Sequence, residues 1–93
     1  MTYRIFETEG FKEDLAQDFG GRREKVLAKL KAYVYPLLAV QPRLGGNIRK
    51  LRDYFPETWR YRIGKYRFFY QIDEQEKIIF MIAADHRKQA YRK

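Results

Sequence analysis

The chain of 93 residues contains no cysteine, so disulfide staples and thiolate metal sites are excluded, which fits a reducing compartment. It contains no serine either, and with both residue types missing the commonest hydroxyl and thiol nucleophiles are gone. One histidine, His86, without carboxylates at ligand spacing cannot build a metal site. No metal and no small-molecule cofactor are therefore expected. The stretch GGRREK (Gly20–Lys25) lacks the spacing and the Ser/Thr of a phosphate-binding P-loop. No apolar run approaches the length of a signal peptide or a membrane span. A soluble cytoplasmic protein with no membrane partner is the expectation. Acids are also scarce: 12 Asp and Glu stand against 20 Lys and Arg, a formal charge of +8.

What is present argues for a folded globule. Hydrophobic residues make up 45% of the chain and aromatics 17%, too apolar for disorder. The length fits a single domain spanning residues 1–93, with no room for a second core. The positive charge has two readings, solubility or a polyanionic partner. Its distribution favours the second. Between Arg43 and Arg67 the only acids are Asp53 and Glu57, whereas acids concentrate in Glu7–Asp18 and Asp73–Glu76.

The order of elements follows from periodicity. Thr2–Thr8 alternates and is rich in β-formers, which predicts a strand, with Thr8 as the N-cap of a following helix. Phe11, Leu15 and Phe19 form a one-face helical stripe that Gly20-Gly21 ends. Val26, Leu27, Leu30, Val34 and Leu37 form a second stripe, interrupted by Pro36, so this helix should end near Tyr35 or kink there. Ala39–Thr58 reads as loop, with a short strand at Asn47–Arg52. Strands are predicted at Trp59–Gly64, Tyr66–Ile72 and Lys77–Ala84, and Asp73–Glu76 forms the turn between the last two. The tail Asp85–Lys93 is polar. The result is an α+β chain of order β-α-α-β-β-β: an antiparallel sheet with an N-terminal helical hairpin on one face and the first strand beside one of the later three.

The turn at Gly64-Lys65 predicts the register of its hairpin. A two-residue type II′ turn with Gly leading sets Ile63 opposite Tyr66, Arg62 opposite Arg67, Tyr61 opposite Phe68, Arg60 opposite Phe69 and Trp59 opposite Tyr70. Period 2 then sorts the side chains. Trp59, Tyr61, Ile63, Tyr66, Phe68 and Tyr70 belong to the core face; Arg60, Arg62, Arg67, Phe69 and Gln71 belong to the other. Like charges placed opposite each other are unfavourable by about 0.2–1 kcal/mol, and an anion held between two guanidinium forks would reverse that. The last strand runs back beside Tyr66 and Arg67 and so brings in His86 and Arg87, with Tyr91 four residues further on; the longer second turn leaves open which of His86 and Arg87 points to the basic face. The expected cluster is Arg60, Arg62, Arg67, His86, Arg87 and Tyr91 with Phe69 on its floor. Cations beside aromatics suit a phosphodiester with a neighbouring base.

These residues carry a resemblance. WRYRIGKYRFFYQID (Trp59–Asp73) followed by IIFMIAADHRKQAYRK (Ile78–Lys93) resembles the RelE/ParE superfamily of toxins from bacterial toxin–antitoxin pairs. The resemblance implies a RelE-like fold and, for the RelE branch, cleavage of mRNA in the ribosomal A site. There the ribose 2′-OH attacks the adjacent phosphate and leaves a 2′,3′-cyclic phosphate, without a metal. Basic side chains stabilise the charge on the phosphorane. On this resemblance Arg62, Arg67, His86, Arg87 and Tyr91 are the catalytic candidates, and Arg60, Lys65, Phe69 and Lys88 the substrate contacts. The implied partners are a cognate antitoxin, the ribosome and mRNA. RelE-type sequences carry lysines where this chain has Arg60 and Arg62, and an arginine stays protonated. His86 is then nominated as proton acceptor, ahead of Lys65 and Lys88. The competing classes are a ParE-like toxin that poisons DNA gyrase by binding, and an inactive RNA-binding relative.

Overall fold

The structure, a computed structural model, describes residues 2–86. Strand β1 (Arg4–Glu7) leads into helix α1 (Glu9–Asp18), then a 3-10 turn (Gly20–Arg22) and helix α2 (Arg23–Lys29). A π-helical turn (Leu30–Val34) joins α2 to α3 (Tyr35–Val40). Strands β2 (Ile48–Lys50), β3 (Thr58–Ile63), β4 (Tyr66–Asp73) and β5 (Ile78–His86) follow. They form one five-stranded sheet of order β1-β5-β4-β3-β2. The α+β layer expected from the sequence is present. The sheet is mixed rather than wholly antiparallel, because β1 joins β5 in parallel. The intervening helices return the chain to the end of the sheet from which β1 starts, and a parallel pair requires such a crossover.

The handover from β1 to α1 shows how local chemistry places the helix. Thr8 caps α1 by accepting from the Phe11 amide at 3.3 Å, while its hydroxyl donates to the Met81 carbonyl at 2.8 Å. Beyond Glu7 the edge of β5 has no strand partner among the described residues. The Asp14 carboxylate of α1 accepts from the Ala84 amide at 3.0 Å and meets that need.

The second helical stripe continues past Pro36. The Tyr35 amide donates five residues back to Leu30, so the turn before the proline is widened. A wider turn removes the clash between the proline ring and the preceding carbonyl that normally stops a helix. It also shifts the register. Val26, Leu30, Val34 and Leu38 are buried at steps of four, and Leu37 is exposed where the simple stripe would bury it.

The helices cover one sheet face. Phe11, Leu15, Phe19, Val26, Leu30, Val34 and Leu38 meet Tyr61, Phe68, Tyr70, Ile72, Ile79, Met81 and Ala84. Phe19 stacks near both Tyr66 and Phe68, at centroid separations of 4.9 and 6.0 Å. The buried Tyr70 hydroxyl donates to the Pro42 carbonyl at 2.6 Å, which secures the long loop to the core. No helix among the described residues is long and apolar enough to cross a membrane.

A second clamp holds the same loop. Arg43 bonds Glu57 through Nε and Nη2 at 3.1 and 3.3 Å, and its Nη2 pairs with Glu74 at 3.1 Å. Tyr3 donates to Glu74 at 2.7 Å, and Lys77 pairs with the same carboxylate. The Arg43 hydrogen bonds hold the Glu57 carboxyl below its usual range. Lys77, then Tyr3 and Arg43, hold Glu74 down at about 2. Both folded values lie below the unfolded ones, so this stabilisation is complete above the ordinary carboxyl pKa and is lost as pH falls through the folded values. Thermal melts should therefore be flat from pH 7 to about 5 and fall steadily towards pH 2. Arg43→Ala should flatten that acid slope; a slope unchanged in the variant would contradict the assignment.

Candidate functional site

The β3–β4 hairpin pairs as the turn chemistry predicts: Ile63 with Tyr66, Arg62 with Arg67, Tyr61 with Phe68, Arg60 with Phe69 and Trp59 with Tyr70. Gly64 takes a φ of 55°, the value a II′ turn demands of its leading residue. Among the described residues no helix covers the other sheet face, and β2 adds Arg49 directly beside Arg60 on that open face. Arg49, Arg60 and Arg62 converge with Asn47, Ile48 and Gly64 around a cavity of about 340 Å³ at the β2–β3 edge.

The electrostatics of this corner are one-sided. Burial, then repulsion from Arg49, Arg62 and Arg67, holds the Arg60 guanidinium below its usual pKa. Its Nε and that of Arg67 are buried without a hydrogen-bond partner among the described residues. A buried polar donor left unmade costs about 1–3 kcal/mol, more when it is charged. The arrangement therefore favours an incoming anion with oxygen acceptors.

The Arg62–Arg67 pair is in register, but each guanidinium finds its own neighbour. Arg62 Nε donates to the Gly64 carbonyl at 3.2 Å. Arg67 Nη2 donates to Asp85 Oδ2 at 2.7 Å, across the β4–β5 ladder. The counter-charge, Asp85, belongs to β5 and not to the polar tail that the sequence predicts from Asp85 onward.

His86 does not join the guanidiniums. It pairs with Tyr66 in the ladder, which puts it on the helix side of the sheet. Its ring lies edge-on to Tyr66 and Phe19, at 5.0 and 6.4 Å. A bulge between Phe69 and Tyr70 shifts the β4–β5 register, and this settles which residue of β5 faces which side. Phe69 sits half-buried opposite Arg60 on the open face, and Lys65 is exposed at the turn. The remaining candidates, Arg87, Lys88 and Tyr91, lie outside the described residues.

Comparison with known proteins decides the family. The profile described as the ParE toxin of the type II toxin–antitoxin system parDE matches residues 7–91. The chain belongs to this toxin family. It is thus a type II toxin of the RelE/ParE superfamily that its hairpin and tail resemble. Among solved structures it is similar to a chain of the RelBE2 toxin–antitoxin complex of Mycobacterium tuberculosis, with 24% identity, a TM-score of 0.73, and coverage of 94% of this chain and 100% of that one. An E. coli RelE toxin mutant in the free state gives 22% identity and a TM-score of 0.65 over 97% of this chain and 88% of its own. YafQ from E. coli strain BL21(DE3) gives 14% identity and a TM-score of 0.67 over 96% and 98%. These likenesses show a shared fold. No curated protein sequence matches the chain.

Two site residues escaped the sequence reading. Arg49 sits on a three-residue strand inside a Pro- and Gly-rich stretch, too short for periodicity to assign it a face. Asp85 lies one residue before His86, and its side depends on the bulge.

Proposed function

We propose that this toxin is an endoribonuclease that cuts mRNA in the ribosomal A site and so inhibits translation. The observation that carries the reading is the Arg49–Arg60–Arg62 pocket on the open sheet face, with the unpartnered Nε atoms of Arg60 and Arg67 beside it. In this reading the ribose 2′-OH attacks the adjacent phosphate, and the guanidiniums stabilise the charge that builds up on the phosphorane. Each such donor contributes about 2.7–4 kcal/mol where the site excludes water. Phe69 offers a face for a base beside the phosphate. Lys65 and Lys88 add backbone contacts, and Arg87 and Tyr91 complete the site from the tail. His86, packed on the other side of the sheet, takes no part in it.

In this reading the ribosome presents the mRNA, since among the described residues no helix lies on the arginine-bearing face. A cognate antitoxin is the second partner, as the family's membership of toxin–antitoxin pairs implies. The deciding experiment is a ribosome programmed with a defined mRNA, read by primer extension. Expected are cuts at the A-site codon, suppressed by the antitoxin, with naked mRNA intact at nanomolar toxin. The ParE description of the matching profile supports a second reading, gyrase inhibition by binding. Intact mRNA together with stabilised gyrase–DNA cleavage complexes would establish that one instead.

A further inference from the structure

Strand cleavage by a 2′-OH needs a proton acceptor, and guanidiniums cannot serve because they stay protonated. The ring of His86 is on the wrong side of the sheet. On the open face the register leaves two strand carboxylates, Asp85 and Asp73. Asp73 is six residues along β4 from Arg67, about 20 Å at strand rise, and it accepts the Glu76 amide in its own turn. Glu57 and Glu74 are committed to the Arg43 clamp. The tail after His86 (RKQAYRK) contains no acid and no histidine. Among the described residues Asp85 is thus the one strand carboxylate that pairs with an arginine of the cluster.

We propose that Asp85 is the proton acceptor of the cleavage step, held in place by Arg67. This rests on the nuclease reading above. The ion pair at 2.7 Å is made by Oδ2, so the second carboxylate oxygen is not committed to Arg67. Both side chains keep about a quarter of their surface, 24% for Arg67 and 27% for Asp85, so the pair can be reached by a ribose. In the step, the 2′-O–H proton passes to the Asp85 carboxylate as the 2′ oxygen bonds to phosphorus. The bond from phosphorus to the 5′ oxygen breaks, and that oxygen takes a proton from water. Asp85 then returns its proton to solvent. The same geometry would orient the acceptor and leave the remaining Arg67 donors for the phosphate.

A counter-ion role for Asp85 predicts the opposite behaviour. If the carboxylate only neutralises Arg67, removing its charge frees a guanidinium, so RNA should bind more tightly and be cut at least as fast. The test compares wild type, Asp85→Asn and Asp85→Glu in single-turnover cleavage on programmed ribosomes, with toxin–ribosome affinity and melting temperature measured alongside. Expected for Asp85→Asn is a fall in the cleavage rate of at least about 100-fold, with affinity equal or higher and the fold retained. Asp85→Glu should recover part of the rate. An Asp85→Asn variant that cuts within a few-fold of wild type would overturn the assignment, as would a loss traced to weaker binding or a lowered melting temperature. A wild-type chain that makes no cuts defeats the nuclease reading itself, an outcome distinct from active wild type with equally active Asp85→Asn.

Discussion

Arg60→Ala should lower single-turnover cleavage on programmed ribosomes by about 10²–10³-fold while leaving the melting temperature unchanged or higher. The two halves of this expectation have one cause. Arg60 is half-buried among Arg49, Arg62 and Arg67, with an unpartnered Nε. Truncation removes that repulsion and that unmade bond, against a modest loss of packing from its aliphatic stem. On the proposed nuclease reading the same truncation removes a donor from the phosphorane, an effect of about 10²–10³ in rate for one oriented donor. Arg60→Lys should fall between, since an ammonium keeps the charge but loses the planar fork. A variant that lost stability and activity in proportion would show that Arg60 is structural, and the pocket would need another explanation.

Phe68→Ala should destabilise the fold by about 3–5 kcal/mol. Phe68 has no exposed surface and lies against Phe11 and Phe19, with ring centroids 6.4 and 6.0 Å away. It is the point where α1, the 3-10 turn region and the central strand β4 meet. Truncation leaves a cavity that these fixed elements cannot collapse into. Domains of this size have about 5–14 kcal/mol in total, so the variant should show a much lower urea midpoint and partial unfolding near 37 °C. The slope of the transition should be preserved, because the surface exposed on unfolding changes little. A midpoint within about 0.3 M of wild type would place the core elsewhere.

The hairpin was legible from the sequence residue by residue, because a two-residue turn with leading Gly64 admits one register and period 2 does the rest. The Phe11–Leu15–Phe19 stripe and the Thr8 cap were legible for similar local reasons. What escaped is what local patterns do not encode. The widened turn before Pro36 exchanges Leu38 for Leu37, and no stripe at a single period can show that. The bulge opposite Phe69 and Tyr70 decides that Asp85, and not His86, shares a face with Arg67. That decision alone changes the candidate chemistry from an imidazole to a carboxylate. The direction of β1 is set by the crossover and not by its four residues.

The parallel seam between β1 and β5 has a consequence for synthesis. Arg4 to Glu7 find their partners in Ile78 to Met81, so β1 waits for a strand some seventy residues further along the chain. Until β5 has been made and released, β1 lacks its sheet partner and Arg67 lacks Asp85. Contacts this far apart in sequence form late, since the loop must close before they can stabilise anything. A chain that stops short of Ile78 can therefore build neither the seam nor the Arg67–Asp85 pair.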